Sequence, residues 1–249
     1  MRISATLVAD IPPLPRREAM ELAATEYSRL LDLLRSLTPD EWVRPTECEP
    51  WDVRTMVSHV IGATESHSSI REQMHQMRAY RKPGSRRMID AMTALQVADR
   101  VHLSPQELLE RLERAAPRSV RARRRLPRPL RRMRMRVDAP FDRERWPLSY
   151  LMDVIFTRDT WMHRLDITRA TGRELVLTSE HDGRIVADVV GEWARRHGKP
   201  VHLVLDGLAG GTFVQGDGGT ELQLDAIEFC RTLSGRRDGE GLLAQEVPF

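Results

Sequence analysis

Asp159 and His163 stand four residues apart in RDTWMHRLDITRATGRE (158–174). On a helix that spacing puts both side chains on one face, about one turn apart. There they converge on a point beside the helix, and a third ligand from a facing helix would complete a metal site. Three protein ligands leave the fourth tetrahedral position open, which distinguishes a catalytic zinc from a structural one. His59, in PWDVRTMVSHVIGA (50–63), borders the face that Met56 and Val60 should bury. Taken alone the pattern stays open. D-x-x-x-H is also the spacing of an ion pair on a solvated face, and one histidine beside an apolar stripe is commonly a satisfied core residue. Arg164 and Asp166 can pair with neighbouring turns, and His67, His75, His102, His181, His197 and His202 read as surface or structural. Trp51, Trp161 and Met162 read as packing in or beside the core, with pocket lining as the second option. Cys48 lies just before the helix of His59 and could approach a metal, whereas Cys230 sits in an apolar helical context and reads as a core thiol.

These residues need helices to hold them. Leu22, Leu30, Leu31, Leu34 and Leu37 fall at helical spacing in residues 17–37, behind a proline-rich lead. Thr38-Pro39-Asp40-Glu41 reads as a capping box opening a short turn that carries Trp42. Asp52 caps the next helix, with Trp51 and Met56 placed as a hydrophobic staple, and its stripe of Val53, Met56, Val57, Val60 and Ile61 runs on toward Tyr80. Pro83-Gly84 should break it, and Met88, Met92, Leu95 and Val97 suggest a short helix after the break. Ser104-Pro105-Gln106-Glu107 repeats the capping box before a helix expected to end near Pro117. Pro147-Leu148-Ser149 opens the long helix of Asp159 and His163, stopped by Gly172. This all-helical pattern argues for a bundle. After residue 175 the texture changes: a helix capped at Ser179 to Asp182, three short strands (VHLVLDG, TFVQGDG, TELQLDA) expected to form an antiparallel sheet, and a helix over 225–234. The expected domains are a helical bundle over 1–175 and a small α+β domain over 176–249.

The chain has 249 residues with 41% hydrophobic and 30% charged, which excludes collagen, low-complexity disorder and a disulfide scaffold. Two cysteines outside any C-x-x-C pair fit a reducing cytosol. No stretch approaches the roughly 18 apolar residues of a membrane span, and the N-terminus lacks a signal core. A soluble cytoplasmic protein is expected, as a monomer or a homodimer. The net charge is +3, yet residues 118–136 hold ten arginines and no acid, so the remainder is acidic. Ten arginines could neutralise several phosphates. The segment lacks interleaved aromatics and any helix-turn-helix or zinc-finger pattern, so nucleic-acid binding is the minor reading. Interrupted by Pro127 and Pro129, it reads as mostly loop or irregular helix extension, close in sequence to the helix of Asp159.

The segments 50–63 and 158–174, together with the tail DAIEFCRTLSGRRDGEGLLAQEVPF, resemble the mycothiol-dependent maleylpyruvate isomerase family of actinobacteria, within the DinB-like bundle superfamily. The resemblance runs through nearly the whole chain. It implies a DinB-like four-helix bundle followed by a small sterol-carrier-like α+β domain. It also implies a divalent metal, usually zinc, held by His59, Asp159 and His163. The characterised isomerase has glutamate where this chain has Asp159, one methylene shorter. A thiol that coordinates zinc loses its proton, and the thiolate is the nucleophile. Mycothiol would then isomerise or S-conjugate a small electrophilic substrate, an anionic one being an option. The resemblance further puts an arginine of the C-terminal domain near the site, for which Arg231 and Arg236 are the positional candidates; surface arginines on the last helix are the alternative. Recruitment of the scaffold to a thiol-independent tailoring step is the other enzymatic option.

Overall fold

In a computed structural model that describes residues 5–80, 87–138 and 140–249, the chain divides into Pro15–Glu174 and a second unit made of the residues up to Leu14 with Leu175–Phe249. The N-terminal segment, placed with the bundle on sequence, instead supplies a two-residue strand, β1 (Thr6–Leu7), to the second unit's sheet. Prolines at 12, 13 and 15 keep this lead out of helix and leave extended backbone free to add at a sheet edge.

The helices of the first unit are α1 (Arg16–Ser36), α2 (Val53–Ser68), α3 (Ile70–Tyr80), α4 (Met88–Ala98) and α5 (Pro105–Arg125). The helix expected to run unbroken from Val53 toward Tyr80 is interrupted at Ser69, whose backbone is extended (φ −138°, ψ 114°). Serine hydroxyls compete with the helix for backbone partners here. Ser66 and Ser68 donate back to the carbonyls of Ala63 and Glu65, and Ser69 Oγ accepts from the Glu72 amide, starting α3 afresh. The expected Pro83-Gly84 break lies outside the described residues. The end expected near Pro117 is also corrected, because α5 runs through that proline to Arg125. Proline removes only one amide donor, and the turns beyond it are held by tertiary contacts: Arg123, buried, donates to the Met152 carbonyl and to Thr157 Oγ1 at 2.6 and 2.8 Å.

After α5 come a short helix, α6 (Arg128–Arg131), and an antiparallel ribbon of β2 (Arg134–Arg136) with β3 (Arg145–Pro147). The last long helix opens as α7 (Leu148–Tyr150), widens into a π-turn over Leu151–Ile155, and continues as α8 (Phe156–Thr171) to Gly172, whose φ of 68° suits glycine. Leu30, Leu34, Met56, Ile61, Leu108 and Leu112 are buried where α1, α2 and α5 meet. An ion pair inside the bundle joins α1 to α8: Arg164 Nε donates to Glu26 Oε1 at 2.6 Å, with both side chains almost fully buried.

The second unit contains α9 (Arg184–His197), β4 (Val201–Asp206), β5 (Gly211–Gln215), β6 (Thr220–Asp225) and α10 (Ala226–Leu233). Its sheet order is β1-β5-β4-β6. The sheet is mixed, which corrects the antiparallel expectation: β4 pairs antiparallel with β5 but parallel with β6. Residues 216–219 cross the start of β4 instead of making a hairpin. A Cβ on Gly219 would lie 2.3 Å from the Pro200 carbonyl oxygen, so only glycine allows that crossing. Trp193 of α9 meets Phe229 of α10 edge to face, with ring centroids 5.2 Å apart, in the core of this unit. The fold is therefore mostly helical with a small mixed sheet, as the expected bundle and α+β textures require.

Candidate metal centre

The Asp52 carboxylate accepts the Thr55 amide at 2.7 Å and fixes the start of α2, so His59 falls two turns into the helix. Its neighbours Val60 and Ile61 are buried. Asp159 and His163 project from α8 toward it. His59 Nε2 lies 3.8 Å and His163 Nε2 3.4 Å from Asp159 Oδ1, and the two imidazole rings meet edge to face at 5.2 Å. One ligand atom from each residue lies within 4.8 Å of the others. The side chains of His59, Asp159 and His163 are 12, 26 and 9% exposed, so the cluster is shielded without being sealed.

Each histidine is held through its other nitrogen. His59 Nδ1 is 2.7 Å from Gln96 Oε1, and His163 Nδ1 is 3.2 Å from the fully buried Asp166 carboxylate. Such outer hydrogen bonds set the tautomer of a metal-ligating histidine and leave the opposite nitrogen free to coordinate. Trp51 covers the pair, its ring 5.2 Å from that of His59 and 6.3 Å from that of His163. Cys48 points at the outer layer, with Sγ 3.6 Å from Asp166 Oδ2.

A chain that matches a known family model over residues 23–168 has declared its kinship over more than half its length, and the model matched here is that of the mycothiol maleylpyruvate isomerase N-terminal domain. The chain belongs to the mycothiol maleylpyruvate isomerase family. A crystal structure of the mycothiol-dependent maleylpyruvate isomerase is similar in fold, at 18% identity and a TM-score of 0.58, covering 94% of each chain. A histidine-to-alanine variant of that isomerase matches equally, covering 93% of this chain and 92% of its own. No curated protein matches the chain.

Within this family member, the donor set fits a divalent ion. Two imidazole nitrogens and one carboxylate suit zinc and related ions. Bonds of about 2.0–2.2 Å meeting at the tetrahedral angle put donor atoms about 3.4 Å apart. The observed 3.4 and 3.8 Å separations lie at and just beyond that value. Without an ion, burial alone would neutralise these groups, but their mutual attraction wins. Desolvation raises the Asp159 pKa, yet His163 and His59 bring it well below the usual carboxylate value. Burial likewise lowers that of His163, and Asp159 and Asp166 outweigh it, leaving the imidazolium pKa raised to about 9.

Trp161 and Met162 are fully buried in the bundle, while Trp51 is the aromatic beside the cluster. Arg164 pairs with Glu26 on α1, and Asp166 with His163 one turn back. Cys230 is a buried core thiol. Within the second unit, Arg231 is buried on α10 and donates to both oxygens of Glu228 at 2.8 and 2.9 Å, and Arg236 follows it, its amide bonded to the Arg231 carbonyl. Sequence reasoning gave no part to Gln96, because nothing in the spacing of a lone glutamine on a Met/Leu-striped helix points to a histidine on another helix. His67 read as structural and stacks on Phe156, with ring centroids 3.7 Å apart. Desolvation and the nearby Arg123 charge push its pKa down to about 3. Among the described residues no helix is long and apolar enough to cross a membrane.

Proposed function

We propose that the chain is a metal-dependent enzyme that uses a low-molecular-weight thiol, mycothiol, to isomerise or S-conjugate a small electrophilic substrate. The observation that carries this reading is the convergence of His59, Asp159 and His163, with Nδ1 of each histidine within hydrogen-bond distance of Gln96 or Asp166. Family membership and the similar fold of a mycothiol-dependent maleylpyruvate isomerase support it. His59 and His163 through Nε2, and Asp159 through a carboxylate oxygen, would hold the ion. A divalent ion held there, zinc first among candidates, would supply Lewis acidity that lowers the pKa of a thiol, so that the thiol would lose its proton to solvent and act as thiolate. Trp51 and the buried α8 face limit water around the three ligands, which strengthens electrostatic interactions there.

The thiolate sulfur adds to one carbon of an activated cis double bond, forming a C–S bond as the π pair moves toward the electron-withdrawing group. Rotation about the resulting single bond and expulsion of the thiolate return the alkene with trans geometry and the thiolate unchanged. A conjugating enzyme would protonate the adduct and release it with the C–S bond intact. For an anionic substrate, Arg231 and Arg236 are the residues we assign to its carboxylate on the family resemblance. Replacing either by Ala should raise KM more than it lowers kcat.

The test is turnover of maleylpyruvate by the zinc-loaded protein with and without mycothiol. Isomerisation that requires the thiol and returns it unchanged supports the isomerase reading. A product that retains the thiol identifies an S-transferase. Turnover that is indifferent to any thiol would contradict the proposal.

A further inference from the structure

We infer that Gln96, itself oriented by Gln76, is the positioning residue that fixes the tautomer of His59 and turns its Nε2 toward the metal. This rests on the metal reading above, but its argument starts elsewhere, in a polar chain buried between α2, α3 and α4. Gln76 on α3 is fully buried, and its side-chain nitrogen lies 2.9 Å from both the Gly62 carbonyl oxygen and Glu72 Oε1. Both of those atoms can only accept. Glu72 is an ionised carboxylate paired with Arg100 at 2.8 Å. The group facing them must therefore be the amide NH2, which leaves Gln76 Oε1 turned toward Gln96.

That oxygen is 2.7 Å from Gln96 Nε2, so the donor of the second amide is committed as well. Gln96 Oε1 then faces His59 Nδ1 at 2.7 Å, and a carbonyl oxygen accepts only. In the neutral ring the His59 proton therefore sits on Nδ1 and the lone pair on Nε2, the nitrogen directed at Asp159; only the doubly protonated ring can also donate to that carboxylate. Flipping either amide would set donor against donor or acceptor against acceptor at successive links. Gln76 and Gln96 are 0 and 4% exposed, so such a mismatch would leave polar groups buried and unsatisfied.

The backbone is arranged to let this happen. Gly62 lies one turn beyond His59 inside α2, where a Cβ would stand 2.5 Å from Gln96 Cβ and 2.6 Å from its Cγ. Only glycine lets α4 come close enough for the amide to reach the imidazole. Arg100, one turn after Gln96, donates Nη1 to the Gln96 carbonyl at 2.9 Å while its other nitrogens pair with Glu65 and Glu72. The arginine thus ties the backbone at Gln96 to the carboxylate that orients Gln76.

Removing the acceptor should free the ring to adopt the other tautomer, and outer hydrogen bonds of this kind are worth about 10–100-fold in metal affinity. The test uses the full chain in which the histidines carry 15N. In the metal-free wild type, long-range proton–nitrogen correlation at a pH where His59 is neutral should show hydrogen on Nδ1; the signal is assigned by its loss in His59→Ala. Gln96→Leu should shift that ring toward the Nε2–H form and weaken Zn2+ binding about 10–100-fold in competition with a chelator. Gln96→Glu keeps the acceptor for Nδ1 but sets its second oxygen against Gln76 Oε1, so it should keep the Nδ1–H form while binding zinc more tightly than Gln96→Leu.

A wild-type His59 protonated on Nε2 would overturn the inference, as would wild-type zinc affinity in a folded Gln96→Leu protein. If Gln96→Leu does not fold, the wild-type tautomer and the Gln96→Glu result decide. A wild type that binds no zinc would sink the metal reading alone, because the tautomer is read without metal.

Discussion

His163 must give up a proton before it can take a metal ion. Its imidazolium, stabilised by Asp159 and Asp166 to a pKa of about 9, occupies the nitrogen that would coordinate. Zinc uptake at pH 7 should therefore release about one proton per ion, read by calorimetry in buffers of different ionisation enthalpy. Apparent affinity should climb roughly tenfold per pH unit from about 7 and level off above about 9; a flat profile would contradict the pairing. The sign for metal-free stability is the reverse. Because the folded pKa is raised above the 6.5 of a free histidine, this contribution is complete below that value and is lost as pH rises through about 9. Asp159→Ala should cost more than the roughly 10–100-fold in zinc affinity typical of an outer-layer residue, since it removes one of the three groups proposed to hold the ion. The i, i+4 spacing of Asp159 and His163 made this half of the site legible in the sequence, because helical periodicity is local. That His59 joins the pair was legible only through the family resemblance. Gln96 was not legible, because its role depends on two amides, a glycine and a carboxylate brought together from three helices.

Helix ends were legible where the signal was local and were misread where tertiary contacts or serine hydroxyls intervened. The capping boxes at Thr38 and Ser104 formed as their sequences require, with Glu41 and Glu107 each bonding back to the capping residue. The break at Ser69 went unread because it carries neither proline nor glycine, although Ser69 and Glu72 have the spacing of a capping box. Pro117 was overrated as a terminator, since packing of Arg123 against the π-turn keeps α5 going. Two variants test the helix packing. Glu26→Ala removes the buried carboxylate that pairs with the Arg164 guanidinium and should lower stability by about 3–5 kcal/mol in urea unfolding; an effect below about 1 kcal/mol would show that α1 and α8 do not depend on that pair. Gly62→Ala improves intrinsic helix propensity by about 1 kcal/mol but drives a methyl into Gln96. It should be net destabilising, by about 1–2 kcal/mol, with weakened zinc binding; a stabilised variant with unchanged affinity would refute the close approach of α4.

On the scale of the whole molecule, composition was informative about class and misleading about charge. The arginine-rich run is not one free cationic arm: Arg123 is in the core and Arg131 pairs with Asp153. The mixed sheet was not legible, because the crossing of residues 216–219 over β4 depends on glycine conformations that read equally well as hairpin turns. The proposed cosubstrate can be tested on the intact protein by thermal unfolding of the zinc-loaded chain with mycothiol, glutathione and bacillithiol. At about 100 times its Kd a true ligand contributes about 2.7 kcal/mol, enough to raise Tm by several degrees. Stabilisation by mycothiol alone is expected, and equal shifts with all three thiols would argue against a dedicated thiol site. Metal content decides whether His59, Asp159 and His163 hold an ion. Purified wild-type protein, equilibrated with zinc and freed of excess, should hold about one ion per chain, and folded His59→Ala and His163→Ala should hold almost none; full occupancy in both variants would contradict the site.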